Sequence, residues 1–245
     1  SSILSTWVKI DFGVMDSIPA LLDTIDEAIQ GGFKRVKLKY RPGWELKMVR
    51  RVRERFPNAV FHVDCNSAYT LADVDMFKEL DRYNLAMIEQ PLMHNDLIDH
   101  ASLQGELLTP LCLDESITSL VKARQAIEIG ACGWVNIKVG RVGGLTNAVA
   151  IHNHCQEHDI PCWVGGMLES ALGAHHCIAL ATLPNFLYPN DIFPSSRFYK
   201  RDLADPEVEL SGPSQVTAPD TPGCGAEPNK DMLEKLTLHY HAISQ

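Results

Sequence analysis

No stretch of the 245 residues approaches the roughly 18 consecutive apolar residues that a membrane span requires, and the N-terminus lacks the charged-then-apolar order of an export signal. A cytoplasmic location is the default expectation. Positive charge is scarce as well: 22 Lys and Arg against 31 Asp and Glu leave a formal net charge of −9. Phosphate backbones and anionic bilayers are held by excess Lys and Arg, so neither nucleic acid nor membrane is expected as a main partner. The one basic cluster, RRVRER at 50–55, fans around a helix and reads as a solvated face. Cysteine pairing motifs are missing too. The seven cysteines form no CxxC pair, their number is odd and most lie in apolar stretches, as buried thiols of a reducing compartment do.

What is present is the composition of a folded protein, 45% hydrophobic and 22% charged. The length permits one large domain or two small ones, and α/β barrels of this size form a single domain. Short apolar or β-branched runs alternate with longer amphipathic ones. The runs VKIDFGV (8–14), RVKLKY (35–40), AVFHVDC (59–65), LAMIEQ (85–90), PLCLDE (110–115), WVNIKVG (134–140), IPCWVGG (160–166) and FLYPNDI (186–192) are predicted strands. Helical patterns lie between them, such as residues 17–30 with Ser17 as N-cap and Gly31 as the stop. From residue 35 onward, strand starts are separated by 24, 26, 25, 24, 26 and 26 residues. One βα unit repeats. Strands joined by helical crossovers are parallel, and eight of them close most economically into a barrel, with a doubly wound open sheet as the competing arrangement. The rhythm stops after residue 192, where PEVELSGPSQV suggests a hairpin and KDMLEKLTLHYHA a helix.

Lys39, Asp64, Glu89, Asp114 and Lys138 recur 25, 25, 25 and 24 residues apart, each at or near the C-terminal end of its predicted strand. In a parallel barrel that end is the rim where active sites are built. Acids after strands also cap the following helix, and Asp64 followed by Asn66 and Ser67 admits that reading. The shared phase of all five favours a common site. Carboxylates on strands about 4.8 Å apart repel by roughly 3.5 kcal/mol at an effective dielectric near 20, so three in a row call for a cation. An all-oxygen set suits octahedral Mg²⁺, with Mn²⁺ as the substitute, better than zinc. Lys37 and Lys39 share a strand face, while Val36 and Leu38 take the other. Partial burial and neighbouring positive charge favour the neutral amine, which makes these lysines and Lys138 candidate bases. A carboxylate substrate held at such an ion and losing its α-proton to an amine is the expected chemistry.

These motifs resemble the enolase superfamily, muconate-lactonising subgroup, and most of all its o-succinylbenzoate synthase and N-acylamino acid (N-succinylamino acid) racemase branch. The resemblance rests on KLK (37–39), DCN (64–66), IEQP (88–91), LDES (113–116), KVGRVGG (138–144), GGMLES (165–170) and SSRFYKRDL (195–203), and covers about residues 7–210. It implies a (β/α)7β TIM-type barrel over residues 7–192, with residues 193–245 as an appendage that in the family packs on barrel and cap. It implies Asp64, Glu89 and Asp114 as metal ligands, Lys39 and Lys138 as the catalytic pair and Lys37 as electrostatic support. Asn66, Glu115 and Arg141 take supporting places, and Gly166, Met167, Glu169 and Ser170 line the pocket for an acyl or succinyl arm. The implied reaction is Mg-dependent removal of the proton α to a carboxylate through an enediolate. Either syn-dehydration to o-succinylbenzoate, a step of menaquinone biosynthesis, or racemisation of N-acylamino acids fits, on a small-molecule carboxylate and in a chain free to form homo-oligomers. Relatives carry an N-terminal capping domain, whereas this chain starts almost directly on the first predicted strand, so no cap is expected within it.

Weaker signals remain. His154 and His158 stand four apart on a predicted helix with no third zinc ligand evident, and His175 and His176 read as structural. The GRVGG turn before a helix is a place for phosphate, which supports a rival reading as a Schiff-base aldolase or phosphate-binding isomerase with Lys138 as the covalent amine. A non-catalytic barrel is the second rival.

Overall fold

The computed structural model describes residues 3–5 and 17–242. Six strands, β2 (Arg35–Lys39), β3 (Val60–Asp64), β4 (Ile88–Glu89), β5 (Leu111–Leu113), β6 (Trp134–Ile137) and β7 (Cys162–Val164), form one parallel sheet in chain order. Helices α1 (Ile18–Gln30), α2 (Glu45–Arg55), α3 (Val74–Leu80), α4 (Leu97–Glu106), α5 (Leu120–Glu128), α6 (Leu145–Glu157) and α7 (Ala171–Leu180) alternate with them. The remaining strands and α-helix are β1 (Ile3–Ser5), β8 (Ala204–Asp205), β9 (Gln215–Thr217), β10 (Glu227–Pro228) and α8 (Lys230–Leu236), with short 3₁₀ helices at Leu71–Asp73, Asp81–Tyr83 and Ser195–Arg197. The predicted first strand, 8–14, falls outside the described residues.

Local chemistry explains the boundaries. Ser17 Oγ accepts the Ala20 amide at 3.3 Å, and Leu21, Ile25 and Ala28 recur on one buried face of α1. Asp96, Ser119 and Asn229 cap α4, α5 and α8 in the same way. Strand alternation does the rest. Val36, Leu38, Phe61, Val63, Ile88, Leu111, Leu113, Val135, Ile137, Cys162 and Val164 point outward under the helices and are at most 1% exposed. Each such side chain contributes about 1.5–3 kcal/mol by leaving water. The inward residues form a separate small apolar layer of Met87, Cys112, Trp163 and Tyr188, and above it the inward positions turn polar.

The predicted eighth strand is only partly realised. Residues 186–192 keep one parallel bridge, Phe186 to Cys162, with backbone bonds from Leu187 to Cys162 and from Asp191 to Val164. Pro189 has no N–H to donate, and the Asn190 side chain takes over part of the ladder by accepting the Val164 amide at 2.7 Å. Side chains then link this segment across the interior to β2 and β3, through Arg35 with Asp191 and His62 with Tyr188. Beyond residue 192 the expected hairpin reduces to a tight turn, Gly212 to Gln215; β9 pairs with β1 and β8 with β10, both antiparallel. The expected C-terminal helix is α8, which ends at Leu236. No helix among the described residues is long and apolar enough to cross a membrane.

Candidate active site

The strands stop where the ionisable residues stand. β2 ends on Lys39, β3 on Asp64 and β4 on Glu89, while β5 and β6 end one residue before Asp114 and Lys138. Register places Lys39 beside Asp64 and Asp64 beside Glu89. Glu89 pairs with Cys112, so Asp114 stands two residues further along on the same face. At Gln90 the backbone turns to φ 38°, and its side chain then accepts the amides of Asp114 at 3.0 Å and Ser116 at 3.1 Å. That contact fixes the start of the loop bearing Asp114.

The predicted groups form two ion-paired clusters, Lys37 and Lys39 with Asp64 and Glu89 in one and Lys138 and Arg141 with Asp114 in the other. Lys37 Nζ lies 2.9 Å from Asp64 Oδ2 and 2.6 Å from Glu89 Oε2. Lys39 Nζ lies 2.8 Å from Asp64 Oδ2, and Lys138 Nζ lies 2.9 Å from Asp114 Oδ2. Asp64, Glu89 and Asp114 are 1%, 0% and 1% exposed, whereas the Lys39 and Lys138 side chains are 19% and 11% exposed. The acids are sealed in; the two amines reach the mouth.

The electrostatics follow from that packing. Burial alone pushes the Glu89 carboxyl up, but Lys37 and His62 overcome it and hold it well below the usual carboxylate range. Asp64 is likewise lowered, with Lys37 and Lys39 outweighing burial and the charge of Glu89. Asp114 goes the other way: burial and Glu89 raise it to about 7 in spite of Lys138 and Arg141. Lys37 corrects the sequence reading. Burial does favour its neutral form, but Asp64, Glu89 and Asp191 reverse the effect and hold the ammonium well above its ordinary range. The ammonium form of Lys37 is therefore favoured.

Asn66 bridges Lys39 (2.5 Å) and Glu115 (3.1 Å), and Arg141 is ion-paired with Asp114. In the 165–170 loop, Met167 and Glu169 line a small cavity together with Asp191 and Phe193. Glu169 turns back on its own loop, accepting the Met167 amide at 2.7 Å, and Met167 is 58% exposed. Ser170 makes no side-chain cap at the start of α7; Asp202 accepts the Ala171 amide at 2.8 Å instead. Gly166 answers to the backbone, since a Cβ there would sit 1.9 Å from the Asp191 carbonyl oxygen.

Four residues escaped the sequence reading. His62 Nε2 is 3.1 Å from Glu89 Oε2, and Asn136 Nδ2 donates to Glu89 Oε1 at 3.0 Å. Both stand two residues before a recognised site residue, so alternation alone would have found them. Burial lowers the His62 imidazole to about 4, with Arg35 acting in the same sense and Glu89 opposing. Asp191, paired with Arg35, had no such signal. Gly165 is the fourth: a Cβ there would meet Asn136 Oδ1 at 2.0 Å and Lys138 Cε at 2.8 Å.

Three buried carboxylates at the strand ends, with Glu115 Oε2 buried beside them and without a hydrogen-bond partner, are an all-oxygen donor set of the kind a hard divalent cation takes, although the oxygens of Asp64, Glu89 and Asp114 do not all lie within 4.8 Å of one another. Their oxygens are shared with ammonium groups. Among the described residues, the trio of ligand atoms all within 4.8 Å of one another is His154, Glu157 and His158 on α6. Glu157 thus supplies the third member that the sequence reading did not find, on an exposed face where Arg124 opposes positive charge.

The enolase C-terminal domain-like family model matches residues 20–232. The chain belongs to that family. It is 45% identical over 230 residues to an o-succinylbenzoate synthase of Geobacillus stearothermophilus, covering 94% of this chain and 61% of that protein. It is 47% identical over 229 residues to an N-succinylamino acid racemase of an Amycolatopsis species, covering 93% and 62%. An enolase-superfamily crystal structure from Listeria innocua superposes with a TM-score of 0.90 at 38% identity, covering 96% of this chain and 62% of that one. The curled parallel sheet is thus the barrel domain of the enolase superfamily, and the chain spans about three-fifths of the length of the relatives it matches.

Proposed function

We propose that this domain carries the site of an enzyme that removes the proton α to a carboxylate, most closely an o-succinylbenzoate synthase. One observation carries the reading: Lys39 at the end of β2 and Lys138 just after β6 flank the buried acids of β3, β4 and the loop after β5, and both amines reach the mouth. Asp64, Glu89 and Asp114 are the proposed Mg²⁺ ligands. When bound, the ion supplies positive charge where negative charge builds on the substrate carboxylate.

The chain's own residues do the rest. For dehydration, one lysine Nζ takes the α-proton and returns it to the departing hydroxide, while the other stays protonated and stabilises the new anion. Lys37 remains charged and holds Asp64 and Glu89 ionised. Arg141 and Lys138 favour the ionised form of Asp114, but burial and Glu89 outweigh them. The enclosed rim keeps the acids from water. Racemisation needs both amines as bases on opposite faces, and the same pair serves it. The Amycolatopsis relative, a racemase, keeps that reading alongside the first.

The substrate is proposed to be a small carboxylate, with dehydration placing the protein in menaquinone biosynthesis. The described cysteines are all unpaired and six are buried, which suits a reducing cytoplasm. The test is assay of the Mg²⁺-supplemented chain against the cyclohexadiene carboxylate precursor and against N-succinyl amino acids in deuterated water. Mg²⁺-dependent dehydration supports the main reading, and α-proton exchange without dehydration supports the racemase. Neither product nor exchange overturns both, and borohydride-trapped substrate on Lys138 would point to Schiff-base chemistry instead.

A further inference from the structure

Beneath the rim lies a buried group that the proposed chemistry does not use. The His62 ring is 0% exposed, with Nε2 3.1 Å from Glu89 Oε2 and Nδ1 3.2 Å from the Tyr188 hydroxyl. It is wedged between Trp163, with ring centroids 5.8 Å apart, and the edge of Tyr188 at 5.6 Å. An ionised carboxylate only accepts hydrogen bonds, so the nitrogen facing Glu89 carries the proton. Arg35, stacked over Trp163 and Tyr188, and Lys37 over Trp163 disfavour a second proton on the ring, which would make it a cation. Nδ1 is then bare and must accept from the Tyr188 O–H. The imidazole thereby fixes the phenol as donor.

Glu89 is constrained accordingly. A carboxylate offers about four lone-pair directions. Oε2 takes Lys37 and His62, and Oε1 takes Asn136 Nδ2, which leaves one direction on Oε1 for a ligand. We propose that His62 is a positioning residue that locks the Glu89 carboxylate for metal ligation, and that Tyr188, by donating to Nδ1, holds the ring in that place. The inference rests on the reading of Glu89 as a metal ligand.

Two measurements on the full chain test it. In metal-free protein labelled with ¹⁵N-histidine, two-bond ¹H–¹⁵N correlation at pH 7 should show His62 with the proton on Nε2, its signals assigned by their loss in His62→Gln. Tyr188→Phe should leave the proton on Nε2, because Glu89 still requires a donor there. In calorimetry with Mg²⁺ alone, His62→Leu should bind about 10–100-fold more weakly, the range expected for loss of a hydrogen-bond partner behind a ligand. His62→Gln, whose amide can still donate to Glu89, should recover most of the affinity. A proton on Nδ1, or folded His62→Leu protein that binds Mg²⁺ like the unaltered chain, overturns the inference while leaving Glu89 as a ligand. Failure of the unaltered chain to bind Mg²⁺ overturns the ligand reading itself, and the positioning role with it.

Discussion

Lys37 Nζ and Glu89 Oε2 meet at 2.6 Å in an ion pair whose two side chains are 2% and 0% exposed. Nothing in bulk solvent screens it, and Asp64 completes the same ammonium's coordination at 2.9 Å. A buried pair of this kind is costly to break, because each partner leaves behind an uncompensated charge. Lys37→Met should therefore destabilise the domain by about 3–5 kcal/mol, the usual cost of stranding a buried charge. Chemical denaturation in chelator reads that loss, and added Mg²⁺ should recover part of it by mass action on the folded state. Unchanged stability would show that the acids do not depend on this ammonium.

Gly165 leaves room that no other residue can. The clash of an added Cβ with Asn136 Oδ1 and Lys138 Cε falls on one of the two proposed bases and on one partner of Glu89. Gly165→Ala should cut kcat by about 10²-fold, as expected when a reacting group moves by about 1 Å. Its thermal midpoint should fall far less than that of Lys37→Met. Steady-state kinetics beside a thermal melt separates the two effects.

Acid sensitivity should appear away from the site, at Asp81. Burial pushes this carboxyl up, but the amides of Leu108 at 3.0 Å and Thr109 at 2.8 Å outweigh it and hold it below its ordinary value. Because the folded value is the lower one, the stabilisation is complete above the unfolded carboxyl pKa of about 3.9 and is lost as pH falls through the folded value. Asp81→Ala should cost about 0.5–1.5 kcal/mol at pH 7, the net worth of a hydrogen bond, because solvent screens this partly exposed carboxylate. Urea melts at pH 7 and pH 3 should show the gap between the two proteins narrowing in acid.

Much of this was legible before any coordinates. The period near 25 residues marked β2 to β7, and its phase marked Lys39, Asp64, Glu89, Asp114 and Lys138, because a βα unit must return to the same end of the sheet each time. The eighth strand was overread, since FLYPNDI is apolar enough for a strand while Pro189 removes a ladder donor. The charge state of Lys37 was misjudged for a different reason. Alternation showed the neighbouring Lys39, but the carboxylates that dominate it come from β3, β4 and the 186–192 segment, 27 to 154 residues away in the chain. Asp191 shares that difficulty, as its partner Arg35 is 156 residues distant.

Lys138→Ala should abolish dehydration and α-proton exchange together, because one reaction needs the amine as base or cation and the other needs it as base. Glu89→Gln should instead weaken Mg²⁺ binding. Calorimetry and deuterium exchange distinguish the two variants, and full activity in Lys138→Ala would remove the amine pair from the mechanism.

The central claim is that the acids at the ends of β3 and β4 and just after β5 hold one divalent ion between two amines. Anomalous diffraction from a crystal soaked in Mn²⁺ tests it most directly. The account predicts one strong Mn²⁺ peak contacted by oxygens of Asp64, Glu89 and Asp114. A rim with no peak, or Mn²⁺ found only at His154, Glu157 and His158 on α6, would contradict it.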